Sequence, residues 1–166
     1  MRSIQNLQRF QAASGHFEVI VDIEHDTDFV PSAIRGERVL FVAVGNVDAG
    51  VDFSGLDDEA VRVSGDRRTV ELELPHAEFF GSRVDPARSY VYDRDRGLID
   101  RVASLFQDNP TSERELYQLA EQKLLAAARD DVGLLARAEQ NTRRMLTGLL
   151  RALGFRTITI RFVNSV

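Results

Sequence analysis

From Phe17 to Ile23 the chain alternates. Phe17, Val19, Val21 and Ile23 fall on one side, and His16, Glu18, Asp22 and Glu24 on the other, with Ile20 the exception. A period of two sends successive side chains to opposite faces of an extended backbone, so the pattern predicts a strand with one buried face. Val30-Pro31 ends the stretch, because proline has no N–H to give to a ladder. From Arg38 to Val47 the apolar residues Val39, Leu40, Phe41, Val42, Ala43, Val44 and Val47 occupy both parities. That predicts a central strand covered on both faces. The Gly/Asp-rich run from Gly45 to Phe53 continues it as a bulged or bent strand. Val61 and Val63, turn chemistry at Ser64-Gly65-Asp66-Arg67, and Val70, Leu72 and Leu74 alternating with Thr69, Glu71 and Glu73 predict a β-hairpin closed by Pro75.

Other stretches change period. Ile4, Leu7 and Phe10, followed by Gly15, predict a short helix or ordered lead-in over residues 1–14. Tyr90-Val91-Tyr92 reads as a short strand and Asp93 to Gly97 as a turn. Leu98, Ile99, Val102, Leu105 and Phe106 then sit at helical spacing. A new helix starts at Asn109-Pro110-Thr111-Ser112, where Ser112 and Glu115 form a capping box. Leu116, Ala120, Leu124, Ala127, Leu135, Ala138, Met145, Leu149 and Leu153 trace one face, and Gly154 is a C-cap. Unbroken, this helix would span about 63 Å at ~1.5 Å per residue, against a domain diameter near ~40 Å. It therefore projects or bends, and Asp130-Asp131-Val132-Gly133 is the break the composition favours. Phe155 to Phe162 predicts a last strand, with Ile158, Ile160 and Phe162 toward the core. Together these elements predict one α+β domain over residues 1–166. Its sheet is mostly antiparallel, a long C-terminal amphipathic helix packs on one face, and a final strand closes the chain.

Composition narrows the function classes. The 166 residues are 43% hydrophobic and 28% charged, which excludes a disordered tail or a fibre. No cysteine is present, so a disulfide framework and any cysteine-based zinc or redox site are excluded. A net charge of −5 argues against a general nucleic-acid binder. Lys123 is the lone lysine among 21 basic residues, the arginine bias of a GC-rich genome. The best apolar run, Val39 to Val44, is too short for a membrane span, and residues 1–6 lack the apolar core of a signal peptide. As given, the chain reads as soluble.

Candidate chemistry is sparse. Asp22, Glu24, Asp26 and Asp28 share one face of an extended chain, with His25 among them. Such a row offers oxygen ligands to Ca²⁺ or Mg²⁺, yet it lacks the glycine and closing glutamate of a calcium loop. The simpler reading is a solvated acidic face, or a row opposite arginines such as Arg62 and Arg38. His16, His25 and His76 form no zinc-protease motif, and there is no nucleophile elbow, P-loop or dinucleotide fingerprint. No cofactor is expected. Arg137, Arg143, Arg144 and Arg151 make the second half of the long helix basic, suited to an acidic membrane surface or a partner. In the plainer reading they are solvated and offset Asp130, Asp131 and Glu139.

Three stretches together resemble the bacterial family termed domain of unknown function 4230. They are residues 38–54, with Gly45-Asn46-Val47-Asp48-Ala49-Gly50-Val51-Asp52-Phe53-Ser54 the most specific part, then Val70 to Pro75, and Ala138 to Thr142 followed by Leu149 to Phe155. The resemblance covers about residues 15–163. It implies a single N-terminal membrane anchor upstream of this domain, on a side of the membrane left open. It supplies no catalytic residue. Within the motif, Gly45 and Gly50 would permit backbone geometry that a Cβ disfavours. Asp48 and Asp52 would cap nearby N–H groups, and Asn141 would bond to the Asp48–Ser54 loop. The leading expectation is a non-enzymatic binding domain whose partner meets Asp48, Asp52, Ser54 and Asn141 or the long helix, which would also serve oligomerisation. One rival is a metal-dependent hydrolase using His25, Asp26, Asp28, Asp48 and Asp52. The other is a lipid or small-ligand carrier with a pocket between helix and sheet lined by Phe79, Phe80, Tyr90 and Tyr92.

Overall fold

The computed structural model describes residues 8–23, 39–56, 58–93, 97–99 and 110–164. The fold is α+β, with eight strands and two long helices among those residues. β1 (Arg9–Asp22) and β2 (Val39–Asp52) are each 14 residues long. β3 (Val61–Val63) follows a 3₁₀ turn at Asp58–Ala60, and β4 (Thr69–Pro75), β5 (Glu78–Val84), β6 (Tyr90–Asp93) and β7 (Gly97–Ile99) come next. Helices α1 (Pro110–Asp130) and α2 (Val132–Ala152) precede β8 (Thr157–Val163).

One sheet runs β1-β2-β6-β7, with β5 also paired to β2. β2 is its central strand and is buried on both faces through Val39, Phe41, Val42, Ala43, Val44, Val47, Ala49 and Val51, as its unbroken apolar run requires. The second sheet has the order β3-β4-β8. Its β3–β4 hairpin pairs Val61 with Leu72 and Val63 with Val70, and β8 lies parallel to β4 with Ile158 beside Val70 and Ile160 beside Leu72.

The chain divides into two compact units. The first comprises residues 1–14, 48–80 and 132–166, and the second residues 15–47 and 81–131. In the second, α1 buries Leu116, Ala120, Leu124 and Ala128, Tyr117 meets Phe41 edge to face at 5.7 Å, and the Ser82 hydroxyl donates to the Glu121 carbonyl at 2.7 Å. Burial, with the Glu113 charge second, raises the Tyr117 phenol above its ordinary 10.0. In the first, Val70, Leu72 and Leu74 of β4 form a buried core against Leu146 and Leu150 of α2 and Ile158, Ile160 and Phe162 of β8. Each such side chain taken from water is worth about 1.5–3 kcal/mol.

Several expectations need correction. Residues 9–14 are strand, not helix: Arg9, Ser14 and His16 of β1 find Asp52, Asp48 and Asn46 of β2, in opposite chain order. Leu98 and Ile99, expected in a helix, pair with Tyr92 and Val91 in β7; Val102, Leu105 and Phe106 lie outside the described residues. The long helix is two helices divided at Asp131, within the expected Asp130–Gly133 break. The buried face departs from the expected one already in α1, where Ala128 rather than Ala127 is buried; in α2 Leu134 rather than Leu135 is buried, while Leu149 and Leu153 are 53% and 67% exposed. α2 ends as the glycine predicts. Gly154 takes φ 99°, its N–H donates to the Arg151 carbonyl at 3.0 Å, and the Phe155 N–H reaches the Leu150 carbonyl at 3.1 Å. These are the two bonds of a Schellman motif, with Phe155 and Leu150 both packed on the β4 core.

Candidate functional site

The first unit holds an open cleft of about 670 Å³. Asp52 and Ser54, at the end of β2 and just beyond it, form one wall. Arg62 of β3, Glu73 of β4, and His76 and Glu78 around the β4–β5 turn form the others. Its charged lining is mainly acidic, with Glu59 a further carboxylate.

Local rules place each group. After β2 the chain turns, and the Ser54 N–H donates to Asp52 Oδ1 at 2.9 Å, an Asx turn. Arg9 of β1 reaches across: its Nε is 3.2 Å from Asp52 Oδ2 and its Nη2 3.2 Å from Glu78 Oε1. Its guanidinium lies 4.6 Å over the Phe80 ring. Bonds from the Ser54 hydroxyl and then the Ser54 N–H, with the Arg9 charge behind them, hold Asp52 below its ordinary 3.8. At the hairpin turn, the Ser64 hydroxyl at 2.6 Å and the Arg68 N–H at 3.0 Å do the same for Asp66. Arg67, not Gly65, carries the positive φ of that turn, 55°. Arg62 lies 3.7 Å from Glu73, a solvent-screened pair on the outer face of the hairpin.

His76 is the group that spacing alone did not reveal. Its Nδ1 lies 2.8 Å from Glu139 Oε1 on α2. A carboxylate accepts, so the ring proton sits on Nδ1. The Ala77 N–H adds a longer bond to the same oxygen at 3.4 Å, and the His76 ring stacks on Phe162 at 6.2 Å. The pair is 63 residues apart in the chain, beyond the reach of any local motif.

The four residues singled out as a partner site do not converge on one loop. Asp48 lies within β2 and accepts from the Ser14 hydroxyl at 2.7 Å. Asp52 and Ser54 line the cleft. Asn141 donates to the Ala12 carbonyl of β1 at 2.7 Å, rather than to the Asp48–Ser54 segment, and accepts from Arg144. Gly45 and Gly50 have no positive φ; they are glycine for space. A Cβ on Gly50 would collide with the Phe10 carbonyl oxygen of β1, and one on Gly45 with the Arg83 carbonyl oxygen and, at 2.6 Å, with Leu124 Cδ1.

The rival constellations fare as follows. Of Asp22, Glu24, His25, Asp26 and Asp28, only Asp22 lies among the described residues, and no group of three or more His, Asp or Glu side chains there is placed to share a metal. Arg38 also lies outside them. The carboxylates with a resolved shift, Asp52 and Asp66, move down, whereas a general acid at neutral pH must move up. Phe79 and Phe80 are half-buried in β5, Tyr90 is half-buried and Tyr92 exposed in β6, and none of the four lines the cleft. No helix among the described residues is long and apolar enough to cross a membrane.

The model of a family described as "Protein of unknown function (DUF4230)" matches residues 2–160, nearly the whole chain. The chain belongs to this family. The match covers the Gly45–Ser54 segment, the β4 core strand and the His76–Glu139 pair alike, so both compact units are part of the DUF4230 domain. Neither a curated protein nor a solved structure matches the chain.

Proposed function

We propose that this DUF4230 domain is a non-enzymatic protein-interaction module that binds through its first unit. The observation that carries this reading is the distribution of uncovered apolar side chains. Val61, Val63, Val132, Leu149, Leu153 and Val163 of that unit are all large, hydrophobic and exposed, against Ile20 and Tyr92 in the second. Six of the eight large exposed apolar side chains among the described residues thus belong to one unit, and this concentration supports contact there. Val61 and Val63 are in register with Leu72 and Val70, so they extend the apolar face of the sheet onto the hairpin's outer strand. Asp52 and its partners brace β1, β2 and β5 together rather than moving protons, and an anion held below 3.8 is unsuited to general acid work near pH 7. Family resemblance supports a native setting at a membrane surface, on an anchor outside this domain.

Photo-crosslinking in the source cell tests the reading. A benzoylphenylalanine at Val63 and one at Leu153 should capture the same protein, and one at exposed Gln122 of α1 should not. No crosslink at either apolar position, or equal capture from Gln122, contradicts it.

A further inference from the structure

The β3-β4-β8 sheet ends on one side with β8, whose seven residues pair with β4 alone among the described residues. An edge strand of that length exposes a row of N–H and C=O groups that another strand can satisfy. The surrounding charge is unlike the rest of this acidic chain. Between residues 140 and 163 there is no aspartate or glutamate, and there are five arginines: Arg143, Arg144, Arg151, Arg156 and Arg161. All five are exposed, and none forms an ion pair among the described residues.

Two of them bracket the strand from opposite faces. The Arg143 guanidinium of α2 lies 5.0 Å over the Phe162 ring, on the face where Ile158, Ile160 and Phe162 meet the core. Arg161 projects from the other face. Its register partner on β4, Glu73, is already engaged by Arg62 at 3.7 Å, so Arg161 stays available. Arg156 stands at the entrance to β8, its N–H fixed on the Arg68 carbonyl at 2.8 Å.

The geometry points to β8 as the docking edge for an acidic, extended segment of a protein partner, which adds as a further strand. Backbone hydrogen bonds to β8 would supply affinity. Alternate side chains of the added strand face opposite ways, so acidic residues of one parity would meet Arg143 and those of the other Arg161. The inference rests on reading the domain as a protein-interaction module and names the chemistry of its partner.

The test uses a fluorescein-labelled peptide of about nine residues in which pairs of glutamates alternate with pairs of valines, so that glutamates face both ways, a length matched to one strand. Anisotropy should show saturable binding to the whole chain that weakens as salt rises. Binding should be lost when lysine replaces glutamate, and also when proline replaces the valines, which removes peptide N–H groups. Arg143→Glu combined with Arg161→Glu should weaken it at least tenfold; both side chains are exposed, and an unchanged circular dichroism spectrum confirms folding. The β8 amides that exchange fast in the free protein should slow when peptide is added. Equal binding of the proline peptide, or indifference to the arginine variants, overturns the proposal. So does sedimentation with phosphatidylglycerol vesicles, or self-association in the ultracentrifuge, in the absence of peptide binding. If peptide binding fails while crosslinks from Val63 and Leu153 still capture one protein, the edge assignment alone falls. If no crosslink forms either, the interaction reading falls with it.

Discussion

Replacing Gly50 with alanine should destabilise the protein even though the new methyl group would be apolar and buried. Gly50 is buried in β2 with no positive φ, so the backbone conformation itself suits any residue. The obstacle is space. The added Cβ would overlap the Phe10 carbonyl oxygen, lie 2.8 Å from the Phe10 carbonyl carbon and 2.5 Å from Phe80 Cε2. A side chain can rotate away, but a carbonyl in a strand ladder moves only if β1 separates from β2 locally. That movement would strain the Phe10–Phe53 stack at 6.4 Å and the Phe53 N–H bond to the Gln8 carbonyl at 2.7 Å. Overpacking of this kind costs about 1–3 kcal/mol. Alanine recovers about 0.5–1 kcal/mol of chain entropy relative to glycine. The net loss should be about 1 kcal/mol, which for a chain of this size lowers Tm by about 2–4 °C. Thermal and urea melts followed by circular dichroism read it directly. Gly55→Ala, where a Cβ meets nothing within 4 Å, is the control and should stay within about 0.5 kcal/mol of the parent. A Gly50→Ala protein as stable as the parent would refute the close-approach explanation.

Other outcomes follow from the same geometry. Leu74→Ala removes a side chain 2% exposed from the β4 core and should cost about 2–5 kcal/mol in urea melts. Gly154→Ala forces a Cβ into φ 99° at the Schellman cap and should cost about 1–2 kcal/mol, or about 3–6 °C in Tm. Ser54→Ala removes the largest influence depressing Asp52, so the carboxyl should titrate closer to 3.8 by NMR. Because the folded-state value is depressed, the Asp52 contribution is present above pH 3.8 and lost as pH falls through the lower folded value. Ser54→Ala should therefore flatten the stability profile in that acid range and leave its shape near neutrality unchanged.

Local pattern carried much of the fold because burial in strands and helices is periodic. The alternation at Phe17–Ile23, the doubly apolar run of β2, the β3–β4 hairpin and the return of β8 all write their environment into neighbouring residues. What stayed hidden depends on distant partners. Ala12-Ala13-Ser14-Gly15 shows little hydrophobic contrast, and β2 decides its extended state. Phe79-Phe80-Gly81 breaks alternation, with Gly81 at φ 141°, so β5 was not visible. Leu98 and Ile99 fit helix or strand equally until Val91 and Tyr92 are beside them. Of the candidate site, Asp52 and Ser54 were legible as turn chemistry. The Arg9 bridge and the His76–Glu139 pair were not, since they join residues 43 and 63 positions apart.

Residue-resolved amide hydrogen exchange across Thr157–Val163 in the free protein tests most directly whether β8 offers an open edge. With β4 on one side and solvent on the other, slow and fast amides should alternate along the strand, the slow set being those bonded to β4. Uniform protection would show the edge already covered, uniform fast exchange would show the strand undocked, and either result would contradict the account.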